Sequence, residues 1–258
     1  MQPRVRFSGE PRVAVVAYLV MVVGMVATPL FARGSDERRI LALVVVGGLF
    51  GTAISSMRRI YGIRAILAAS AVIVVGLIVE VVGSSTGFPF GEYDYTGVLT
   101  PQLFGVPIVV AFAWAGITLT VHGALHALPL GRSARAQAAR IAVMALAITA
   151  WDLFLDPQMV AEGYWSWQPS TLAFRGIPIV NYLGWLFTAT VTSAVAVLFC
   201  KPSNDAPTAL PRLTYATLAT LSTVGFLIFF DDPVVALVGG VAMGAFVALS
   251  FGTFRKTT

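Results

Sequence analysis

The sequence predicts an all-α integral membrane protein of about eight transmembrane helices, with an internal parallel repeat relating helices three and four to helices five and six. Three observations carry that reading. The chain of 258 residues is 57% hydrophobic and 11% charged, with a mean hydropathy of +0.84, which leaves too little polar surface for a soluble domain of this size. Apolar runs of membrane-spanning length recur along it. One phrase is written twice: Gly91-Glu92-Tyr93-Asp94-Tyr95 leads to Gly105-Val106-Pro107-Ile108-Val109 and Trp114, and 71 residues later Tyr164 leads to Gly176-Ile177-Pro178-Ile179-Val180 and Trp185.

The expected spans are 13–32, 38–57, 64–83, 104–126, 136–156, 176–199, 211–230 and 233–252. Backbone polar groups stay paired in hydrocarbon, so such runs are helices rather than open sheet. The first has a basic start like a signal peptide, but its length and the seven spans after it favour a retained helix. The two longest loops, 84–103 and 157–175, lie on one side. Lys201-Pro202-Ser203-Asn204-Asp205-Ala206-Pro207 reads as a plain linker. In the turn Phe230-Asp231-Asp232-Pro233, the proline suits a first helical turn and the aspartates suit its positive end. Gly47-Gly48, Gly239-Gly240 and Gly244 suit close helix packing in lipid. The whole, 1–258, reads as a single polytopic membrane domain.

Charge orients it. Arg4, Arg6, Arg12, Arg58, Arg59, Arg64, Arg132, Arg135, Arg140, Lys201, Arg212, Arg255 and Lys256 fall on one side, 13 of the 17 basic residues. Arg33, Arg38, Arg39 and Arg175 fall on the other. The positive-inside rule then places both termini in the cytoplasm of a multi-pass cell-membrane protein. Of the acids, only Glu10 and Asp205 share the cytoplasmic side.

Several functions are disfavoured. The pI of about 9.7 comes from short loop clusters that suit lipid headgroups, without the basic and aromatic stripe of a nucleic-acid surface, so no nucleic-acid partner is expected. Cys200 is the one cysteine and cannot form an internal disulfide. His122 and His126 share a helix face but lack a clear third ligand, so no metal is expected. Gly47-Gly48 has no following Lys, as a phosphate loop would.

The candidate chemistry is acidic and aromatic. Glu80 and Asp152 lie inside spans near their outer ends, where a carboxyl is costly and marks function. A carboxyl removed from water favours its neutral form and can serve as a proton donor. Asp152 and Asp156 are four apart on one helix face, with Pro157 expected to end regular hydrogen bonding just beyond. Glu92, Asp94 and Glu162 are expected nearer water. Tyr93, Tyr95, Tyr164, Trp165 and Trp167 flank them, either as interfacial anchors or as a lining whose π faces hold a cation. Asn181 could hold water, and Trp114 and Trp185 read as packing.

Phe88-Pro89-Phe90-Gly91-Glu92-Tyr93-Asp94-Tyr95 with Gly105-Val106-Pro107 resembles the integral-membrane carotenoid biosynthesis proteins. So does Trp151-Asp152-Leu153-Phe154-Leu155-Asp156-Pro157-Gln158-Met159 with Gly163-Tyr164-Trp165 and Gly176-Ile177-Pro178. The likeness spans roughly 80–190, and the WDLFLDP stretch is its most specific part. That family includes carotenoid 1′,2′-hydratases, so the resemblance implies addition of water to the terminal double bond of an acyclic ψ-end. On that reading Asp152 donates the proton, with Glu80 or Asp156 as partner. Glu92, Asp94 and Asn181 position water. Tyr93, Tyr95, Tyr164, Trp165 and Trp151 belong to the end-group pocket. No cofactor is required. The expected partners are the carotenoid substrate, the lipid bilayer and other carotenoid biosynthesis enzymes. A carotenoid cyclase or isomerase would form the same cation. A transporter or pigment-binding protein is the alternative from another class.

Overall fold

The computed structural model describes residues 9–131, 133–201 and 209–252. Arg4, Arg6, Arg132, Asp205, Arg255, Lys256 and linker residues 202–207 lie outside that range. The described residues form eight α-helices: α1 Arg12–Ala27, extended by a 3-10 turn Thr28–Leu30, α2 Asp36–Tyr61, α3 Ile63–Thr86, α4 Ile108–Ala124, α5 Ala134–Ala161, α6 Ile179–Phe199, α7 Leu210–Ile228 and α8 Pro233–Gly252. Six of them (α1 with its turn, α2, α3, α5, α6 and α8) are long and apolar enough to cross a membrane. The chain is thus an all-α, multi-pass integral membrane protein. Large apolar side chains such as Leu67, Leu183, Leu237 and Val241 remain exposed on the helix surfaces, as lipid-facing positions do in a bundle without a water-soluble exterior.

Helix ends follow local chemistry. Ser35 accepts from the Arg38 amide at the start of α2, with Asp36 and Glu37 in the first turn and Arg58 and Arg59 in the last, which complements the helix dipole at both ends. Ser133 caps α5 by accepting from the Ala136 amide. Asp232 accepts from the Val235 amide at the start of α8 at 3.1 Å, the placement expected for an acid before Pro233.

Three sequence expectations are corrected. The runs beginning at 104 and 176 do not enter helices there. Residues on each side fold first into two-residue strands: β2 Gln102–Leu103 with β3 Val106–Pro107, and β5 Ala173–Phe174 with β6 Ile177–Pro178. This leaves α4 with 17 residues. The fifth helix does not stop near 156; it carries Pro157 inside it and runs to Ala161.

The short hairpin before α4 and the one before α6 share backbone conformation at a 71-residue spacing. Phe104 and Arg175 take φ of 54° and 55°, and Gly105 and Gly176 both take 81°. This left-handed step lets each tight hairpin close. The amide of Ile108 donates to Pro101 and that of Ile179 to Leu172, at 3.0 and 2.9 Å. The loops join through β1 Tyr93–Tyr95 and β4 Trp165–Trp167, which pair antiparallel with Tyr93 opposite Trp167 and Tyr95 opposite Trp165.

The centre of the bundle is α4. Every residue from Trp114 to Ala124 is buried, and α2, α3, α5, α6 and α7 pack around it. At the edge, α1 seats on α2 through Gly48. A Cβ there would lie 2.8 Å from the carbonyl oxygen of Ala17 and from Met21. Gly47, one residue away, faces open space. Gly48→Leu should cost about 1–3 kcal/mol from overpacking, and Gly47→Leu should stay within about 0.5 kcal/mol. Thermal melting of the detergent-solubilised protein checks the pair, with a lower melting temperature expected for the first alone.

Candidate active site

The pleat of β1 and β4 makes a lid. Alternate side chains of a strand face opposite ways, so Tyr93, Tyr95, Trp165 and Trp167 point into the bundle while Asp94 and Ser166 stay exposed. Tyr93 lies 4.9 Å from Trp167, centroid to centroid, and Tyr95 meets Trp165 edge-on at 5.8 Å. Below them Trp114 of α4 and Trp185 of α6 stack at 4.2 Å with 27° between their planes. Trp151 of α5 meets Trp185 edge-on. Between lid and floor lies a cavity of about 70 Å³, lined by these rings except Trp151, with Phe90, Glu80, Asp156, Asn181 and apolar side chains of α2, α4 and α5.

Two acidic centres, on different helices, meet these rings. Glu80 of α3 is 5% exposed. Its Oε2 accepts from the hydroxyls of Tyr93 and Tyr95, both at 2.7 Å, and its Oε1 from the Trp114 indole at 2.8 Å. Burial, and then the charge of Glu80, push both phenols well above their ordinary range, so they remain donors. The second centre is on α5. Asn181 Nδ2 donates to Asp152 Oδ2 at 2.9 Å and also to Asp156 Oδ2. Asp156 Oδ1 accepts from the Trp165 indole at 2.6 Å and more weakly from Trp167 at 3.4 Å. Asp152 is fully buried, and its Oδ1 has no hydrogen-bond partner among the described residues.

The structure brings Glu80, Tyr93, Tyr95, Asp156, Trp165 and Asn181 into the wall of one cavity. Asp152 lies behind that wall, reaching it through Asn181. Glu92 and Asp94 do not join: both are exposed, Asp94 because it alternates with Tyr93 and Tyr95 in β1 and Glu92 just before that strand. Tyr164 packs beside the cavity with Leu99 and Trp165; burial, and then Glu162, push its phenol up to about 12. Glu162, expected near water, is instead 5% exposed and ion-paired with Arg38. Arg175 pairs with Asp232 at 2.8 Å. Trp114 and Trp185, read as packing, form the cavity floor. Their signal was present, since each stands nine residues after the repeated glycine.

At the opposite end of α4, His126 Nδ1 meets the Tyr61 hydroxyl at 2.9 Å. Among the described residues no group of three or more His, Cys, Asp or Glu is placed to hold a metal ion. The site as built can pass a proton to and from an apolar molecule and can hold positive charge against π faces.

One amide serves two carboxyl groups, so its loss leaves both short of a donor. Asn181→Leu should therefore cost about 2–3 kcal/mol. Thr190→Ala, on the exposed side of the same helix, should cost under about 0.5 kcal/mol. Melting of the two variants in detergent gives the comparison.

No solved structure matches the chain. Over 150 residues, 55% of this chain, it is 34% identical to the bisanhydrobacterioruberin hydratase of Haloarcula japonica. It spans about half (50%) of the length of that curated relative. The family described as carotenoid biosynthesis protein matches residues 14–254, from within α1 to beyond the end of α8, and this chain belongs to that family.

Proposed function

We propose that the protein is a carotenoid hydratase, adding water across the terminal 1,2 double bond of an acyclic ψ-end carotenoid. The observation that carries this reading is the pair of buried carboxyl groups, Glu80 and Asp156, in a mostly apolar cavity lined by seven aromatic rings. The name of the Haloarcula relative supports it.

Hydration of a trisubstituted alkene sets two demands. A proton goes to the less substituted carbon, and the tertiary cation that results survives until water reaches it. In the proposed reaction one proton is held on the Asp152–Asp156 pair, where two carboxyl groups share the Asn181 donor. Asp156, on the wall, delivers that proton to C2, and the π electrons of the double bond form the new C–H bond. The cation at C1 rests against the faces of the Trp114–Trp185 stack and the lid aromatics. Glu80, held in one orientation by three donors, faces it as the negative group. Water bonds to C1 through its oxygen, and the surplus proton passes to Glu80 by way of the Tyr95 hydroxyl, then back to the aspartate pair. One alkene and one water give one tertiary alcohol. Every atom is accounted for without an oxidant or reductant. Asp156 thus takes the donor role first given to Asp152, which becomes its buried partner.

The same reading gives a single membrane domain over 1–258, in the cell membrane with both termini cytoplasmic, and places this cavity toward the outer face. A polyene too apolar to leave the bilayer reaches it from the side.

The test is expression in a host that makes lycopene or an acyclic fifty-carbon carotenoid, followed by mass spectrometry of the pigments. The expected product is heavier by one water for each modified end. A product of unchanged mass but altered retention would instead mean cyclisation or isomerisation, and unaltered pigment would remove the enzymatic reading. Asp156→Asn and Glu80→Gln should each slow conversion about 10²–10⁴-fold, the usual share of a positioned acid or base. Asp152→Asn should accumulate the unhydrated precursor while the protein still inserts.

A further inference from the structure

The cavity wall divides by exposure. Its polar members Glu80, Asp156 and Asn181 are all buried. Partly exposed apolar members come from α4, which supplies Val109, Val110 and Ala113, and from α2 and α5. On α2 they are Ala42 and Val46, four residues apart, and on α5 they are Leu155 and Met159, also four apart. Residues at that spacing share a helix face, so two apolar stripes flank the cavity, one from each helix.

Each stripe ends in a charge. Arg38 stands one turn before Ala42 on α2, and Glu162 stands three residues after Met159 at the end of α5. They form an ion pair with side chains 6% and 2% exposed. Arg38 also donates from Nε to the Phe31 carbonyl at 2.9 Å, and the Gly34 amide donates to Glu162 Oε2 at 3.2 Å. The pair therefore ties α2, α5 and the α1–α2 loop together at one level, one turn above the apolar rungs. A buried ion pair adds little stability over a well-packed apolar pair. What this one supplies is a fixed separation between two helices whose facing side chains, one turn below, line an empty space.

Resting on the hydratase reading above, we infer that the seam between α2 and α5 is the lateral portal of this site. The hydrocarbon body of the acyclic polyene lies along Ala42, Val46, Leu155 and Met159, its end group reaches Glu80 and Asp156, and the Arg38–Glu162 pair closes the seam against water. The apolar stripes match a tail without polar atoms, and their half exposure places the opening toward lipid rather than toward the lid.

Two measurements on the full chain test this. In a Cys200→Ala background, spin labels at Ala42→Cys, Val46→Cys and Met159→Cys in lipid nanodiscs report collision with oxygen, which partitions into lipid, and with a water-soluble nickel chelate. Oxygen access without chelate access, reduced by added lycopene, is expected. Labels reached by neither reagent, or by the chelate, would overturn the portal. Replacing the ion pair with Arg38→Met and Glu162→Leu should admit the chelate to the Ala42 label without unfolding the protein. Continued exclusion would overturn the pair's part. The second measurement is turnover. Ala42→Phe and Val46→Phe should lower kcat/KM for the long polyene at least about tenfold, while a ten-carbon olefin with the same end group, too short to reach the seam, stays within about twofold. Equal losses on both would point to a distorted site and overturn the inference. Wild-type protein inactive on both olefins would sink the hydratase reading, and the collision data would still decide the seam.

Discussion

A carboxyl group inside a membrane protein needs donors, and here aromatic side chains supply most of them. Glu80 is met by two phenols and an indole, and Asp156 by two indoles and an amide. Leaving such groups unpaired in a low-dielectric interior would cost several kcal/mol each. The lid thus does two things at once. The hydroxyl and N–H ends of its residues satisfy the acids, and the faces of the same rings line the cavity. Removal of the lid would strand the acids, so the strand pairing that looks peripheral in a helical protein holds the site together.

That pairing is self-complementary. At the 71-residue spacing Asp94 corresponds to Trp165 and Tyr95 to Ser166, and the ladder sets Asp94 opposite Ser166 and Tyr95 opposite Trp165. Exchanging the two loops returns the same pairs, which is the register a two-fold axis between them would produce. Trp114 and Trp185, 71 residues apart, stack on one another as residues beside such an axis do.

Much of this was legible beforehand. Hydropathy located the eight helices, because lipid demands long uninterrupted apolar runs and the chain has few other residues to offer. Glu80 and Asp152 stood out by the cost of their setting. The helix starts near 104 and 176 were misplaced because Val106-Pro107 and Ile177-Pro178 are as apolar as the helices they precede, so hydropathy cannot tell a buried hairpin strand from a helical turn. Glu92 and Asp94 were expected near water, and they are exposed, but the strand pairing that turns Asp94 away from the cavity joins residues about 70 apart and leaves no local trace. For the same reason Glu162 gave no sign of Arg38. The role of the Trp114–Trp185 floor was hidden in plain composition, since a tryptophan at helical spacing is more often core than site.

The scaffold matches across the two loops, yet the acids do not. Glu80 corresponds to Trp151, and Asp152, Asp156 and Asn181 correspond to Val81, Ser85 and Val110. One side of the cavity therefore carries a single carboxyl saturated with donors, and the other carries two that share an amide. Acid and base roles separate when two titratable groups sit in unlike surroundings, and a symmetric site would give both the same surroundings. A matched pair of hairpins builds the walls, the lid and the aromatic floor. Differences between the corresponding positions of these helices give the floor two different sides, and a proton has a direction to travel only where the two sides differ.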